Sequence, residues 1–297
     1  MATNPLTTPY VFIVGTSRNE TNSRLRDAWS ALGYDVALTS CYAARRLMRP
    51  GDLAIGRLDV LPSLDGVEPG LFELLLLERA GFGVLNGARA LLGCHDKLRT
   101  ACALRESALP HPRTALFVPG RPVTLGAPLV VKPRFGSWGV DVERCETSEE
   151  VETCLERVSA RSWFRRHGAL LQELVPSSGI DLRIVVAGGQ VVGATRRIAR
   201  RGEWRTNTSL GGTRRPVDPP VEACMLAVRA SRAVGADLVG VDLLPLPDGG
   251  YTVLELNAAV DFSPEYGMGG PDPYEAAAPA LGLPSAARDG ALMTAAG

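Results

Sequence analysis

Short apolar runs alternate with amphipathic stretches of helical period in the first 86 residues, and this pattern restricts the chain to an α/β fold. The run YVFIVG (10–15) predicts a buried strand, NSRLRDAWSALG (22–33) a helix that ends at Gly33, and YDVALTS (34–40) the next strand. Two strands joined by a crossover helix lie parallel in one sheet, with the helix on a face of that sheet. The chain therefore starts with a β-α-β unit.

The same order continues beyond this unit. GDLAIGRLDV (51–60) predicts a third strand, PGLFELLLLERAG (69–81) a helix bounded by Pro69 and Gly81, and FGVLNG (82–87) a fourth strand. Residues 1–86 are therefore predicted to form a small doubly wound domain. The segment has no GxGxxG motif, which argues against a dinucleotide ligand.

Length and charge limit the classes of function. The 297 residues are enough for about two or three structural domains, which is a size typical of enzymes. Lys and Arg total 32 and Asp and Glu total 32, so no overall field draws the chain to a nucleic acid or an anionic membrane. No apolar stretch reaches the length of a membrane span, and MATNPLTTPY lacks the features of a signal peptide. These features predict a soluble cytoplasmic protein.

The cysteines show no metal-binding or disulfide pattern. All six lie outside CxxC pairs, and only three histidines accompany them. A structural zinc site and a disulfide framework are thus disfavoured, and reduced thiols that pack in the interior are expected.

A lysine at the end of an apolar run precedes a glycine-containing loop in VVKPRFGSWGVDV (130–142). The surrounding segment predicts a strand, the loop, a helix over TSEEVETCLERVSA (147–160) and a further strand, the layout of a small domain that closes over a nucleotide. Main-chain N–H groups of such a loop bind phosphate oxygens, and Lys132 would add a point charge. A plain hairpin turn with a snorkelling lysine explains this stretch equally well. The loop does not match the GxxxxGK[ST] motif.

Two acidic strands near the C-terminus favour the nucleotide interpretation. GADLVGVDLLPLPDGGYTVLELNAAVDF (235–262) predicts two strands joined by a Pro-Asp-Gly-Gly turn. Asp242 lies on the first strand, and Glu255 and Asn257 project from one face of the second because they are two residues apart. Burying these oxygen atoms without a partner is costly, and Mg²⁺ accepts such ligands. An edge hairpin with its polar residues in water is the weaker alternative.

Five stretches carry a family resemblance, and they occur in this order along the chain: DKLRT (96–100), VVKPRFGSWG (130–139), LLQELVPSSGIDLRIVVAGGQVVGA (170–194), RRIARRGEWRTN (196–207) and LELN (254–257). Together they resemble the ATP-grasp superfamily. Within it they are similar to ligases that modify ribosomal protein S6 and to ligases of carrier-dependent lysine biosynthesis. The resemblance covers Asn86 to about Phe262, and the segment before it matches only in outline. It implies an ATP-grasp fold, α/β overall and α+β in the nucleotide-binding part.

The resemblance also implies roles for individual residues. Lys97 and Lys132 would contact ATP phosphates, and Asp181 would lie near the ribose. The phosphate lid would consist of Gly136, Ser137, Trp138 and Gly139. The adenine-side hinge would consist of Gln172, Glu173, Leu174 and Val175. One or two Mg²⁺ ions, or Mn²⁺, would be held by Asp242, Glu255 and Asn257. Arg197, Arg205 and Asn207 would face the carboxylate substrate and the transferred phosphoryl group.

The function that the resemblance implies is ATP-dependent amide formation between a carboxylate and an amine through an acyl phosphate. Glutamate is the expected type of donor, and the acceptor is a small amino acid, a peptide or a carrier protein. Phosphoryl transfer, thioester formation and a non-catalytic ATP-binding role are the alternatives. Because relatives assemble, a dimer or tetramer is expected. An acidic partner would be recruited by the arginine rim, which we define as Arg200, Arg201, Arg214 and Arg215.

Two departures from the family pattern bear on the substrate. Trp138 stands where related ligases often carry a small polar residue, and AAVDFSPEYGMGGPDPY (258–274) follows Asn257 where the S6-modifying ligases have a Ser-Pro-Gly pattern. The latter stretch is closer to the lysine-pathway branch. The predicted division is an N-terminal α/β domain (1–86), a linker helix with a small lid subdomain (87–175), a C-terminal ATP-grasp subdomain (176–284) and a flexible tail (285–297).

Overall fold

The computed structural model describes residues 8–16 and 19–284, and its first layer is a parallel sheet with the strand order β2-β1-β3-β4. Its strands are β1 (Val11–Gly15), β2 (Val36–Thr39), β3 (Leu53–Arg57) and β4 (Gly83–Leu85), and its helices are α1 (Glu20–Ala31), α2 (Cys41–Leu47) and α3 (Leu71–Arg79). The four predicted strands are confirmed, and so are the two predicted helices. Helix α2 was not predicted. The predicted tail 285–297 lies outside the described residues.

Two helices, α4 (Ala88–His95) and α5 (Lys97–Glu106), lead to a four-stranded antiparallel sheet. This second sheet has the order β5-β8-β6-β7, with β5 (Thr114–Phe117), β6 (Leu129–Lys132), β7 (Glu143–Cys145) and β8 (Ala169–Glu173). Helices α6 (Ser148–Val158) and α7 (Ser162–His167) lie between β7 and β8 in the chain. Val151, Leu155 and Trp163 pack with Leu129 and Val131 in a core cluster that serves this sheet.

A five-stranded antiparallel sheet forms the third layer, in the order β11-β10-β9-β12-β13. Its strands are β9 (Ile180–Ala187), β10 (Gln190–Ile198), β11 (Thr213–Pro216), β12 (Leu238–Pro245) and β13 (Tyr251–Asn257). Helix α8 (Val221–Val234) precedes β12, and α9 (Pro273–Ala280) follows the sheet. Asp242 pairs with Glu255 in the register of β12 and β13, and a bulge follows that pair, so the two predicted acidic strands are confirmed as neighbours.

The first and third layers share their cores. One buried cluster joins Phe12 and Val14 of β1 to Ile184 of β9 and Val239 of β12. Close backbone approach at this junction requires a glycine, because a Cβ at Gly56 would lie 2.3 Å from the main-chain oxygen of Asn86. Arg57, at the end of β3, donates to the main-chain oxygens of Ala258 and Val260, so the segment after β13 is held against the carboxyl ends of the parallel strands.

Asp96 divides the helical stretch that the sequence predicted before the lid. Its side chain accepts hydrogen bonds from the N–H groups of Leu98 and Arg99, which makes it the N-cap of α5. The chain thus turns at Asp96, and Lys97 begins a new helix. The six cysteines are free thiols, as expected. Within residues 8–16 and 19–284, no helix combines the length and the apolar character needed to cross a membrane.

Candidate active site

A deep pocket between the second and third sheets brings together nearly all of the predicted site residues. Of the predicted set, its lining includes Lys97, Lys132, Gly136, Ser137, Trp138, Gly139, Gln172, Glu173, Leu174, Val175, Asp181, Arg197, Arg205, Asn207, Asp242 and Glu255. Asn257 instead lines a smaller adjoining cavity, which it shares with Ser137, Trp138, Arg197, Asn207 and Glu255. Residues that lie between positions 97 and 255 of the sequence therefore meet around one space.

Two lysines supply positive charge to this pocket. Lys132 is buried at the end of β6, and its Nζ donates to Oε1 of Gln172 at 2.7 Å. The pKa of Lys132 is lowered to about 8, mainly by burial and also by the charge of Lys97, while Glu255 opposes both effects. Lys97 Nζ donates to the main-chain oxygen of Gly136 and lies 3.6 Å from Oε2 of Glu255. The two cations face the same space, which suits a polyanion.

An ion pair and several hydrogen bonds hold the glycine loop (133–142) against its neighbours on two sides. On one side, Arg134 forms a two-pronged ion pair with Asp96, at 2.7 and 2.6 Å, and Lys97 N–H donates to its main-chain oxygen. On the other side, Ser209 Oγ donates to the oxygen of Trp138 at 2.9 Å. Arg205 also binds this loop, through the main-chain oxygen of Gly139 at 3.0 Å. The loop is thus closed over the pocket.

Gly139 is the loop position at which the backbone requires glycine. Its φ is +73°, and an added Cβ would lie 2.9 Å from Oδ1 of Asn207. Gly136 has no such constraint, because its Cβ would lie 3.5 Å from Pro133, which is ordinary contact. Trp138 also has a positive φ, +61°, and its side chain is half exposed. The loop therefore holds two left-handed residues in succession at its tip.

The hinge side of the pocket is formed where β8 ends. Gln172 is held between two partners, since it accepts from Lys132 and its Nε2 donates to Thr114 Oγ1 at 2.9 Å. Glu173 is exposed and pairs with Arg113 at 3.2 Å. Leu174 and Val175 add apolar surface to the lining. An apolar slot beside a few fixed polar groups is the surface that a nucleobase requires.

A buried cluster of two carboxylates and two guanidinium groups lies below the pocket floor. Arg197 donates from Nε and Nη2 to Asp181, at 2.7 and 2.6 Å, and from Nη2 to Asp242 at 2.7 Å. Arg183 binds both oxygens of Asp242, at 2.7 and 2.8 Å. Burial alone would raise the pKa of Asp242, but the two guanidinium groups outweigh burial and hold that pKa well below its usual range. Asp242 is therefore ionised and neutralised by arginines.

This cluster changes two expectations about individual residues. Asp181 lines the pocket, and the resemblance placed it near the ribose. Its oxygens, however, already accept hydrogen bonds from Arg197 and from Thr206 Oγ1. Arg197 is also buried and uses two of its three nitrogens on carboxylates. Arg183, which the sequence left without a role, completes the cluster from the neighbouring strand. The cost of burying an unpaired carboxylate could have signalled that Asp242 needs such partners.

The expected metal ligands offer oxygen atoms of the right type. Glu255 has no hydrogen bond to the described residues, and its closest cations are Lys97 at 3.6 Å and Arg183 at 4.0 Å. Asn257 Oδ1 accepts from the N–H of Ala259 at 3.0 Å, and a carbonyl oxygen has a second lone pair. In the described part of the chain, no group of three His, Cys, Asp or Glu side chains has metal-binding geometry. Glu255 and Asn257 therefore keep oxygen atoms that fit Mg²⁺, which completes its shell with water and phosphate oxygens. Both oxygens of Asp242 instead accept from Arg183 and Arg197, so Asp242 could bind a metal ion only after these arginines move.

Comparison with known proteins identifies the family. Residues 100–265, more than half of the chain, match the RimK-like ATP-grasp domain. A probable alpha-L-glutamate ligase of Shewanella loihica is 31% identical over 265 residues, covering 82% of this chain and 86% of the relative. The glutamate--LysW ligase ArgX of Sulfurisphaera tokodaii is 29% identical over 221 residues, covering 72% and 78%.

A solved structure shows the same fold. The ATP-grasp ligase PsnB, complexed with minimal precursor, superposes with a TM-score of 0.64 over 93% of this chain and 99% of PsnB, at 20% identity. The predicted ATP-grasp fold and the predicted resemblance to RimK-like and carrier-dependent ligases are confirmed.

Proposed function

Because this chain belongs to the RimK-like ATP-grasp family and is an ATP-dependent carboxylate–amine ligase, we propose that it joins an amino acid such as glutamate to an amino group of a small amino acid, a peptide or a carrier protein. The observation that carries this proposal is the meeting of Lys97, Lys132 and Glu255 beneath a closed glycine loop. That arrangement supplies cations for phosphates and an oxygen ligand for a metal ion beside them.

The reaction proceeds in two chemical steps. An oxygen of the donor carboxylate attacks the γ-phosphorus of ATP, which releases ADP and leaves an acyl phosphate. The amine then attacks the acyl carbon, and the tetrahedral intermediate expels phosphate to form the amide. A protein nucleophile is not required, so positioning and charge neutralisation carry the catalysis.

The proposed roles follow from where the side chains lie. Lys97 and Lys132 bind the phosphates, and the glycine loop covers them and keeps water from the acyl phosphate. Residues 172–175 form the slot for the adenine. Asp242, Glu255 and Asn257 would hold Mg²⁺, or Mn²⁺, and the ion would neutralise charge on the transferred phosphoryl group. A complex of PsnB with Mg and ADP supports the choice of magnesium.

Arg197 and Asn207 are proposed to face the reacting groups, because both line the pocket and its adjoining cavity. The Nη1 nitrogen of Arg197 donates to no acceptor in residues 8–16 and 19–284, which leaves it for an anion. Asp181 then acts by fixing this guanidinium group. A planar guanidinium suits both a carboxylate and a phosphoryl oxygen.

An acidic carrier protein is the proposed partner of the arginine rim. Arg214 and Arg215 lie on β11, where Arg215 pairs directly with Arg196 of β10 in the antiparallel register. Like charges placed opposite each other are destabilising unless an anion lies between them. Two relatives are named glutamate--LysW ligase and alpha-aminoadipate--LysW ligase, and these names support a carrier protein as the partner.

Two measurements test these proposals. Release of ADP is measured for pairs of amino acids and for acidic peptides, and mass spectrometry then identifies the amide product. The Arg214→Ala/Arg215→Ala double variant should raise the KM of an acidic acceptor and reduce its salt dependence. Its control is Arg45→Ala/Arg46→Ala, which removes the same charge from exposed positions of α2. Equal effects of the two double variants would exclude a specific rim.

Two further proposals concern organisation. The chain is proposed to divide near residues 86 and 175. One sheet lies before residue 86, one between residues 86 and 175 and one after residue 175, which supports the division. The active protein is proposed to be a dimer or tetramer. Its mass in solution at micromolar concentration tests this, and a monomeric mass would contradict it.

A further inference from the structure

A second cavity opens on the side of the glycine loop away from the nucleotide pocket. It has a volume of about 940 Å³ and lies between the ends of the parallel strands and the segment after β13. Ser137 and Trp138 line this cleft, the nucleotide pocket and the small cavity that holds Asn257. The cleft is therefore separated from the phosphate side only by the tip of the loop.

Two carboxylates, Asp59 and Asp261, line both the cleft and the small cavity. Asp59 follows β3, and Asp261 follows β13. Arg57 explains why they meet, since its buried guanidinium donates to the main-chain oxygens of Ala258 and Val260, at 2.9 and 2.8 Å. The two carboxylates thus stand where the cleft reaches the residues proposed to hold the reacting groups.

We infer that Asp59 and Asp261 bind the amino group of the acceptor substrate and that Asp59 takes its proton as the amine attacks the acyl phosphate. This inference rests on the proposed function, because it assigns the second substrate of the same reaction. A protonated amine has no free lone pair, so the ammonium group must lose a proton before the C–N bond forms. The acyl C–O bond to phosphate then breaks, and Asp59 later releases the proton to solvent.

The hydrogen bonds of the two carboxylates leave oxygen atoms for this task. Asp59 Oδ1 accepts from the N–H of Val60 at 2.7 Å, and no described residue donates to its Oδ2. Asp261 Oδ1 accepts from Asn19 and Thr21, at 3.2 and 3.1 Å, and its Oδ2 likewise has no donor among the described residues. Each carboxylate is therefore oriented through one oxygen and keeps the other for an ammonium group.

A hydroxyl group in the cleft independently calls for a polar ligand. Ser263 lines the cleft, and its Oγ is buried without a hydrogen-bond partner in residues 8–16 and 19–284. Leaving such a buried hydroxyl group without a partner is unfavourable. A polar acceptor that reaches Ser263 would remove this cost. Arg214 is also present in the cleft, and it would suit a carboxylate of the same acceptor molecule.

The acidity of Asp59 is consistent with a base that works near neutral pH. The pKa of Asp59 is raised to about 6, mainly by burial and also by the charges of Asp261 and Glu68, while the N–H of Val60 and the charge of Arg57 oppose this rise. Across the small cavity the carboxylate also faces charged groups of the third sheet, namely Arg183, Arg197 and Glu255. Amide formation should therefore decline as the pH falls through about 6.

Hydroxylamine separates the two halves of the reaction. It is unprotonated at neutral pH and traps an acyl phosphate as a hydroxamate without needing a base. The assay supplies ATP, Mg²⁺ and glutamate, and compares hydroxylamine with the twenty L-amino acids as nucleophiles. Asp59→Asn should lower amide formation by about 100-fold or more while changing hydroxamate formation less than twofold. Asn retains the oxygen that accepts from Val60, so folding should be preserved.

Control variants make the outcome decisive. Asp27→Asn removes a carboxylate from an exposed position of α1 that is not part of the cleft lining, and it should leave both products unchanged. Asp261→Asn should raise the KM of the acceptor more than it lowers kcat, and Asp59→Glu should restore part of the amide rate. Unchanged amide formation in Asp59→Asn, or an equal loss of both products in the folded variant, would overturn the inference alone. Absence of hydroxamate from the wild type would overturn the proposed function as well.

Discussion

The guanidinium group of Arg205 binds the main chain of the glycine loop. Its Nη1 donates to the main-chain oxygens of Gly139 and Val142, at 3.0 and 3.2 Å, and its Nε and Nη2 pair with Glu203. The sequence placed Arg205 among the residues that face the substrate anions. In the structure it lines the nucleotide pocket and at the same time fastens the loop that covers the pocket. A role in positioning the loop therefore stands beside the proposed contact with substrate.

Replacing Arg205 by Gln should open the loop and separate ADP release from amide formation. The loop would lose two hydrogen bonds, each worth about 1–3 kcal/mol when the donor is charged, so water would reach the acyl phosphate. We expect a rise of about tenfold in the KM for ATP and an increased ratio of ADP to amide. Arg165→Gln is the control, because Arg165 is exposed on α7 and lies outside both the pocket and the arginine rim. A constant ratio in Arg205→Gln would show that the loop does not depend on this contact.

Alanine at position 139 should be far more harmful than alanine at position 136. The φ of +73° at Gly139 and the 2.9 Å approach to Asn207 together oppose a Cβ, whereas Gly136 has room for one. A non-glycine residue in such a conformation costs about 1–2 kcal/mol before any clash is counted. Steady-state ligation should show a rise of about tenfold or more in the KM for ATP for Gly139→Ala, and less than twofold for Gly136→Ala. Similar kinetics for the two variants would make the loop a simple connection.

The parts of the site that sequence could predict are those set by local pattern. Strand alternation placed Glu255 and Asn257 on one face, and the Pro-Asp-Gly-Gly turn brought Asp242 opposite them. The apolar run before Lys132 likewise predicted a buried lysine at a strand end. These inferences needed only the period of a strand and the chemistry of a turn.

The remaining features depend on distances between strands that are remote in the sequence. Arg197 joins Asp181 on one neighbouring strand and Asp242 two strands away, and no local spacing contains that geometry. Asp59 and Asp261 meet because Arg57 spans about 200 residues of sequence to reach Ala258. The carboxyl end of a parallel strand is a usual place for ligand-binding residues, so the position of Asp59 after β3 was a signal available from sequence alone.

The affinity for ATP should decrease as the pH rises through about 8. Burial has lowered the pKa of Lys132 to about 8, and only the protonated amine attracts phosphate. Above that pH the dissociation constant should rise by a factor that approaches about tenfold per pH unit, because each unit removes about tenfold of the ammonium form. Calorimetric titration from about pH 7 to about pH 9.5 measures the effect. Lys132→Arg should flatten the profile, and a sloped profile in that variant would assign the titration to another group.

Glu255→Gln should abolish most turnover while leaving the fold intact. The substitution keeps the shape of a side chain that makes no hydrogen bond to the described residues, but it removes the charge proposed to bind the metal ion. Loss of a metal ligand removes several kcal/mol of transition-state stabilisation, or a fall of about 100-fold or more in kcat. Ligation is measured across Mg²⁺ and Mn²⁺ concentrations, and thermal unfolding provides the control. Wild-type turnover at ordinary Mg²⁺ would refute the metal assignment.

Arg197→Ala should damage both the fold and the reaction, because this guanidinium neutralises two buried carboxylates. Asp181 is 1% exposed and Asp242 is 2% exposed, so removal of their shared partner leaves buried negative charge. The expected loss in the free energy of unfolding is about 3–5 kcal/mol, measured by urea titration. Turnover should also fall by orders of magnitude at saturating substrate, since Arg197 is proposed to act on the transition state.

A compensating substitution separates these two effects of Arg197. The Arg197→Ala/Asp181→Asn variant removes one buried charge of each sign, so it should recover a large part of the lost unfolding free energy, while Arg183 still neutralises Asp242. It should not recover turnover, because the guanidinium group proposed to bind the phosphoryl group is still absent. Arg197→Lys should retain some turnover but not all, since an ammonium group lacks the planar fork that binds Asp181 through two nitrogens. Recovery of turnover together with stability in the double variant would assign Arg197 a purely structural role and remove it from the proposed mechanism.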